Sequence, residues 1–90
     1  FGHAGDGNMH PTIVHEHGDL EAAQRAQEVF GKIVELAQSL GGTASGEHGI
    51  GVIKTRFLVN EISETVMQLQ KSVKRIFDPN LILNPGKKFR

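Results

Sequence analysis

The chain is 90 residues long, has no cysteine, and balances ten lysine and arginine residues against ten aspartate and glutamate residues. That balance argues against a basic nucleic-acid face and against an acidic disordered tail. The missing cysteine excludes a disulfide framework, a thiolate metal site and a catalytic thiol, and suits a reducing compartment. A chain of this size buries only about 60–65% of the surface its unfolded form exposes, so a single thin-cored domain over 1–90 is expected.

In chain order, the first segment is the most unusual. Residues 2–11 read GHAGDGNMHP, with His3 and His10 on either side of glycine, aspartate and asparagine. Gly5, Asp6, Gly7 and Asn8 are residue types that tolerate positive φ and close a turn. The segment 9–15, MHPTIVH, has the β-branched content of a strand, with Pro11 at its start or on an edge. From Leu20 the apolar positions Ala23, Ala26, Val29, Phe30, Ile33, Val34, Ala37 and Leu40 recur every three or four residues. That spacing predicts an amphipathic helix with Asp19 as N-cap, Glu21 in the first turn and Gly41-Gly42 as the stop. Residues 43–53, TASGEHGIGVI, are expected to form a glycine-punctuated strand. A second helix is predicted with Val66, Leu69, Val73, Ile76 and Phe77 on one apolar stripe, Asn60 or Ser63 as cap, and Asp78-Pro79 as terminator. Both apolar helix faces are read as core. The turn-rich end, FDPNLILNPGKKFR, carries an apolar knot at Leu81-Ile82-Leu83.

The order strand, helix, strand, helix, tail implies an α+β fold, a partial layer with helices on one face of a small antiparallel sheet. Two strands make a poor sheet, so further strands are expected outside these residues. Beginning at Phe1 with the glycine-rich segment already under way, the sequence reads as a piece of a longer polypeptide. It is expected to be soluble, since no apolar run approaches the roughly 18–20 residues that span a bilayer and no secretory leader precedes it.

Three segments exceed what a structural domain needs: GHAGDGNMH, GEHGIG at 46–51, and NPGK at 84–87. If the first turn reverses the chain, His3 and His10 face each other across it. Two imidazoles so placed suit a divalent ion such as zinc, which commonly takes two histidines and one carboxylate and keeps a position open. Glu47 is the candidate carboxylate. In an extended stretch Glu47 and His48 point to opposite sides, so one ion should not take both. With Glu47 as ligand, His48 is left to act as a general base near neutral pH. The bland readings stand beside these: histidines hydrogen-bonding within a loop, glycines serving a bulge, Asp6 forming the turn, and His15 and His17 exposed at a strand end.

Together the three segments, in this order and spacing, resemble the C-terminal part of FAD-linked oxidases of the vanillyl-alcohol oxidase type. The likeness is to the branch of the glycolate oxidase D-subunit, D-lactate dehydrogenase and D-2-hydroxyglutarate dehydrogenase, and it covers essentially all 90 residues. The resemblance implies a cap or substrate domain on a ferredoxin-like α+β sheet, facing an N-terminal FAD-binding domain of the same chain. It implies His3, His10 and Glu47 as ligands of a divalent ion, commonly zinc, His48 as catalytic base, and Asn8 as part of the substrate pocket. The tail carrying Asn84 and Lys87 is expected to run close to the flavin domain and to contribute to cofactor binding.

The implied reaction is oxidation of a small D-2-hydroxy acid, of glycolate or D-lactate type, to the 2-oxo acid, with FAD as electron acceptor. Further implied partners are companion oxidase subunits or an external electron acceptor, but no nucleic acid. The implied location is the cytoplasm, or the periphery of the inner membrane for the full-length complex. Taken alone, these 90 residues are expected to be inactive, to bind no FAD and to self-associate through apolar surface and a free sheet edge. The competing readings are a noncatalytic metal- or anion-binding α/β module and a bare structural piece.

Overall fold

A computed structural model describes residues 1–89. The elements are β1 (Gly2–His3), β2 (Asn8–Met9), α1 (Leu20–Ser39), α2 (Thr55–Leu58) and α3 (Glu64–Phe77), with a 3-10 turn at Ala4–Asp6 between the strands. The small antiparallel sheet and three helices make this an α+β fragment, as expected. The chain divides into two compact units, Phe1–Glu47 and the segment from His48 onward.

The first unit begins with a hairpin. Gly7 takes φ +70° and its N–H donates to Ala4 O at 3.1 Å, so the turn closes on a left-handed residue where a side chain would be strained. The strands pair with Gly2 opposite Met9 and His3 opposite Asn8. His10 N–H donates to Phe1 O at 2.8 Å, and Pro11, having no N–H, cannot extend the ladder. The strand expected over 9–15 is therefore confined to Asn8–Met9.

Helix α1 starts where its cap predicts. The Asp19 carboxylate accepts from Ala22 N–H at 2.9 Å, with Glu21 in the first turn. It ends in a Schellman closure: Gly41, at φ +83°, donates to Gln38 O at 3.0 Å, and Gly42 donates to Ala37 O at 2.8 Å. Val34 is buried and Phe30, Ile33 and Ala37 are half-buried, whereas Leu36 and Leu40 on the same helix are exposed.

The expected strand over 43–53 does not form. Gly46, Gly49 and Gly51 take φ of +50°, +76° and +56°, and three left-handed residues in six reverse the chain repeatedly where a strand needs extended backbone. The segment is a run of turns that leads into α2, a short helix the sequence reading does not contain. Phe57 and Leu58 of α2 are buried, as are Ile50 and Met67 of the same unit.

Ser63 caps α3, accepting from Val66 N–H at 3.3 Å, and the helix ends at Phe77 before Asp78-Pro79 as predicted. Its apolar stripe is not core. Leu69, Ile76 and Phe77 are 64%, 75% and 80% exposed, while Met67 is buried and Gln70, Lys71 and Lys74 are half-buried. The face that periodicity assigns to the interior therefore lies in solvent. Beyond the helix, the Asp78 carboxylate gathers the tail: Oδ1 accepts from Ile82 N–H at 3.0 Å, and Oδ2 accepts from Leu83 N–H at 3.1 Å and from Lys74 Nζ. Lys74 Nζ also donates to Leu83 O at 2.7 Å.

Candidate metal centre

Hairpin register decides which side chains meet. Residues directly opposite in an antiparallel pair project to the same face, and so do residues two apart on one strand. His3 lies opposite Asn8, and His10 follows Asn8 by two, so His3, Asn8 and His10 share one face. Phe1 stacks on His10 with ring centroids 5.7 Å apart and an interplanar angle of 11°, and the two histidine rings meet edge to face at 5.7 Å. Gly46, at φ +50°, turns the chain immediately before Glu47.

The result is convergence on one carboxylate. His3 Nε2 lies 3.1 Å from Glu47 Oε2, and His10 Nε2 lies 3.0 Å from Glu47 Oε1. One ligand atom from each of the three residues lies within 4.8 Å of the others. Adjacent ligands around a tetrahedral zinc, with bonds of about 2.0–2.1 Å, sit about 3.3 Å apart. Two imidazole nitrogens and a carboxylate, with each histidine facing a different oxygen of Glu47, fit the donor set of such an ion, and the 4.8 Å bound leaves the three atoms to draw together around it. His10 is the most enclosed of the three, with 18% of its side chain exposed, against 59% for His3 and 42% for Glu47. The cluster is therefore open to solvent on the side of His3 and Glu47.

The other candidate residues are not among the three that cluster. Asn8 donates from Nδ2 to Glu47 Oε2 at 3.1 Å, a contact the sequence reading does not contain. His48 is exposed in the turn after Glu47 and is the first residue of the second unit. Because that segment is turn and not strand, the alternation used to separate Glu47 from His48 loses its basis. Asn84 and Lys87 lie in the exposed tail, where Asn84 takes φ +46° and its carbonyl accepts from Lys87 N–H at 3.2 Å. His15 and His17 are exposed and lie outside the cluster. Among the described residues, no helix is long and apolar enough to cross a membrane.

Comparison with known proteins agrees with the motifs. Residues 1–88 match the family described as FAD linked oxidases, C-terminal domain. The chain is 44% identical over 89 residues to glycolate oxidase subunit GlcD of Bacillus subtilis (strain 168), covering 99% of this chain and 19% of that protein. It is 45% identical over 85 residues to the GlcD subunit of Escherichia coli (strain K12), covering 94% of this chain and 17% of that one. Against a D-lactate dehydrogenase of Anaerostipes hadrus it is 43% identical over 90 residues, covering 97% and 18% of the two chains. The chain thus spans less than a fifth of the length of these curated relatives. No solved structure matches it at a significant level. With its motifs and nearly its whole length accounted for in this way, the chain belongs to the FAD-linked oxidase family, as a C-terminal domain.

Proposed function

We propose that these residues are the cap-side part of an FAD-dependent oxidoreductase that oxidises a small D-2-hydroxy acid, of glycolate or D-lactate type, to the 2-oxo acid. The observation that carries the proposal is the convergence of His3, His10 and Glu47 on one point, in a chain whose relatives are named glycolate oxidase subunit and D-lactate dehydrogenase.

His3 and His10 offer two neutral nitrogen donors and Glu47 one anionic oxygen, a set suited to zinc or a similar divalent ion. When bound, such an ion supplies Lewis acidity toward the substrate's hydroxyl and carboxylate, and FAD supplies the acceptor for the α-hydride. His48 takes the proton from the substrate hydroxyl. With FAD bound in the full-length protein, loss of that proton would let the hydroxyl oxygen form the C=O bond of the 2-oxo acid, while the flavin would supply the two-electron acceptor for the α-hydrogen. Asn8 contributes to the pocket wall beside Glu47, and the tail at Asn84 and Lys87 borders the flavin domain.

That domain, which binds most of the FAD, belongs to the N-terminal part of the same polypeptide, as the relatives' length suggests. Companion oxidase subunits or an external acceptor take the electrons onward. The working location is the cytoplasm or the cytoplasmic periphery of the inner membrane. Without the flavin domain these 90 residues are catalytically silent and associate with a second copy through exposed apolar surface.

The test uses the full-length protein. Wild type should reduce its flavin anaerobically with one member of a 2-hydroxy-acid panel and yield the 2-oxo acid. His48→Asn should lower kcat by about 10²–10⁴-fold with FAD content unchanged. Glu47→Gln should lose bound metal by elemental analysis. Unchanged turnover in His48→Asn would overturn the base assignment, and metal retained in Glu47→Gln would overturn the ligand set.

A further inference from the structure

Glu47 is held by more than the two histidines. Its Oε2 faces both His3 Nε2 and Asn8 Nδ2, each at 3.1 Å, whereas Oε1 faces His10 Nε2 at 3.0 Å. An ionised carboxylate only accepts hydrogen bonds, so the amide nitrogen is the end of Asn8 that can face it. The other end, Oδ1, is directed to Gly46, where an added Cβ would come within 3.2 Å of it. Asn8 is half-buried, and its pairing with His3 fixes it on the ligand face of the hairpin. Asparagine meets both demands at once. An aspartate would bring a second negative charge against Glu47, and an alanine would offer no donor.

We propose that Asn8 is a positioning residue for the metal site: its side-chain amide fixes the rotation of the Glu47 carboxylate, so that the carboxylate is oriented toward His3 and His10 before an ion arrives. The inference rests on the reading of His3, His10 and Glu47 as metal ligands. Groups that orient a first ligand in this way typically change metal affinity by about 10–100-fold when removed. Asn8 acts through Glu47 and is not itself a ligand. Gly46 is the second half of the device, because a Cβ there would crowd Asn8 Oδ1 at 3.2 Å.

The test is zinc titration by calorimetry on the metal-stripped full-length protein, comparing wild type with Asn8→Ala, Asn8→Leu and Glu47→Gln. Visible spectra of the cobalt(II)-loaded forms are recorded alongside, and each unfolding temperature is measured in chelator to confirm that the variant is folded. Wild type should bind zinc and Glu47→Gln should lose it. Both Asn8 variants should bind about 10–100-fold more weakly, with shifted cobalt ligand-field bands. Leucine keeps the branched four-heavy-atom skeleton of asparagine without its donor, so a packing role would be restored by Asn8→Leu and a donating role would not. Wild-type affinity in Asn8→Leu, or unshifted bands in both variants, would overturn the positioning role while leaving the ligand set intact. No zinc binding by wild type would overturn the ligand set itself.

Discussion

Gly2 is the residue on which the hairpin geometry turns. A Cβ there would meet the carbonyl oxygen of Asn8, come within 2.9 Å of Met9 Cα and lie 3.2 Å from His10 N, all of them backbone atoms that cannot rotate aside. Three residues later Gly5 has nothing within 4 Å of the same imagined atom. Gly2→Ala should therefore force β1 away from β2, separate His3 from His10 and Glu47, and cost about 1–3 kcal/mol of stability together with, on the proposed ligand set, most of the zinc affinity. Gly5→Ala should stay within about 0.5 kcal/mol of wild type. Thermal unfolding and zinc titration of the two variants check both statements, and equal effects of the two substitutions would contradict them. The difference between these glycines is not legible in GHAGDGNMHP, because it depends on the backbone of the opposite strand. Gly7 is legible there, since a tight reversal needs a residue at positive φ and glycine supplies it locally. The same limit explains Asn8: its residue type fits a turn, and only the approach of Glu47, thirty-nine residues on, reveals what its amide does.

At the scale of elements, what could be read was what is local. Asp19 and Ser63 cap their helices, Gly41-Gly42 closes α1, and Asp78-Pro79 follows α3, all within a few residues of the positions they control. The strand expected over 43–53 fails because glycine marks both a bulge and a left-handed turn, and composition does not say which. Asp78 shows a helix terminator serving a second purpose. The hydrogen bond from Lys74 holds its carboxyl below the ordinary aspartate range; burial works in the opposite direction, and the N–H groups of Leu83 and Ile82 lower it further. A carboxyl depressed in the folded state contributes stability that is fully present above its unfolded value of about 3.9 and is lost as the pH falls through the folded value. Asp78→Asn should therefore lower the unfolding temperature at pH 7. The gap between variant and wild type should narrow as the pH drops below about 4. Melting curves across that range decide it, and a gap that stays constant with pH would show that Asp78 holds the tail without its charge.

For the molecule as a whole, the informative mismatch is α3. Val66, Leu69, Val73 and Ile76 follow one another at intervals of three, four and three, the spacing of a helix that lays an apolar seam against a partner, with Phe77 beside it. Periodicity establishes that such a face exists. It does not say what covers it, and here the stripe is exposed while Lys74 points inward to Asp78. The relatives are more than five times as long as the segment this chain matches, so their chains carry much surface beyond that segment. In the isolated chain the available partner is a second copy. Burying a leucine or isoleucine side chain contributes about 1.5–3 kcal/mol, and about 1.4 kcal/mol corresponds to a tenfold change in dissociation constant. The isolated 90-residue chain should therefore sediment with a concentration-dependent coefficient. Leu69→Glu and Ile76→Glu should each weaken association by about tenfold or more, and because both side chains lie in solvent, helix content by circular dichroism should not change. A wild-type chain that sediments as a single monomer across the same concentrations would contradict the assignment of this face. Association unaffected by both substitutions would move the contact elsewhere, with the apolar knot at Leu81–Leu83 the next surface to vary.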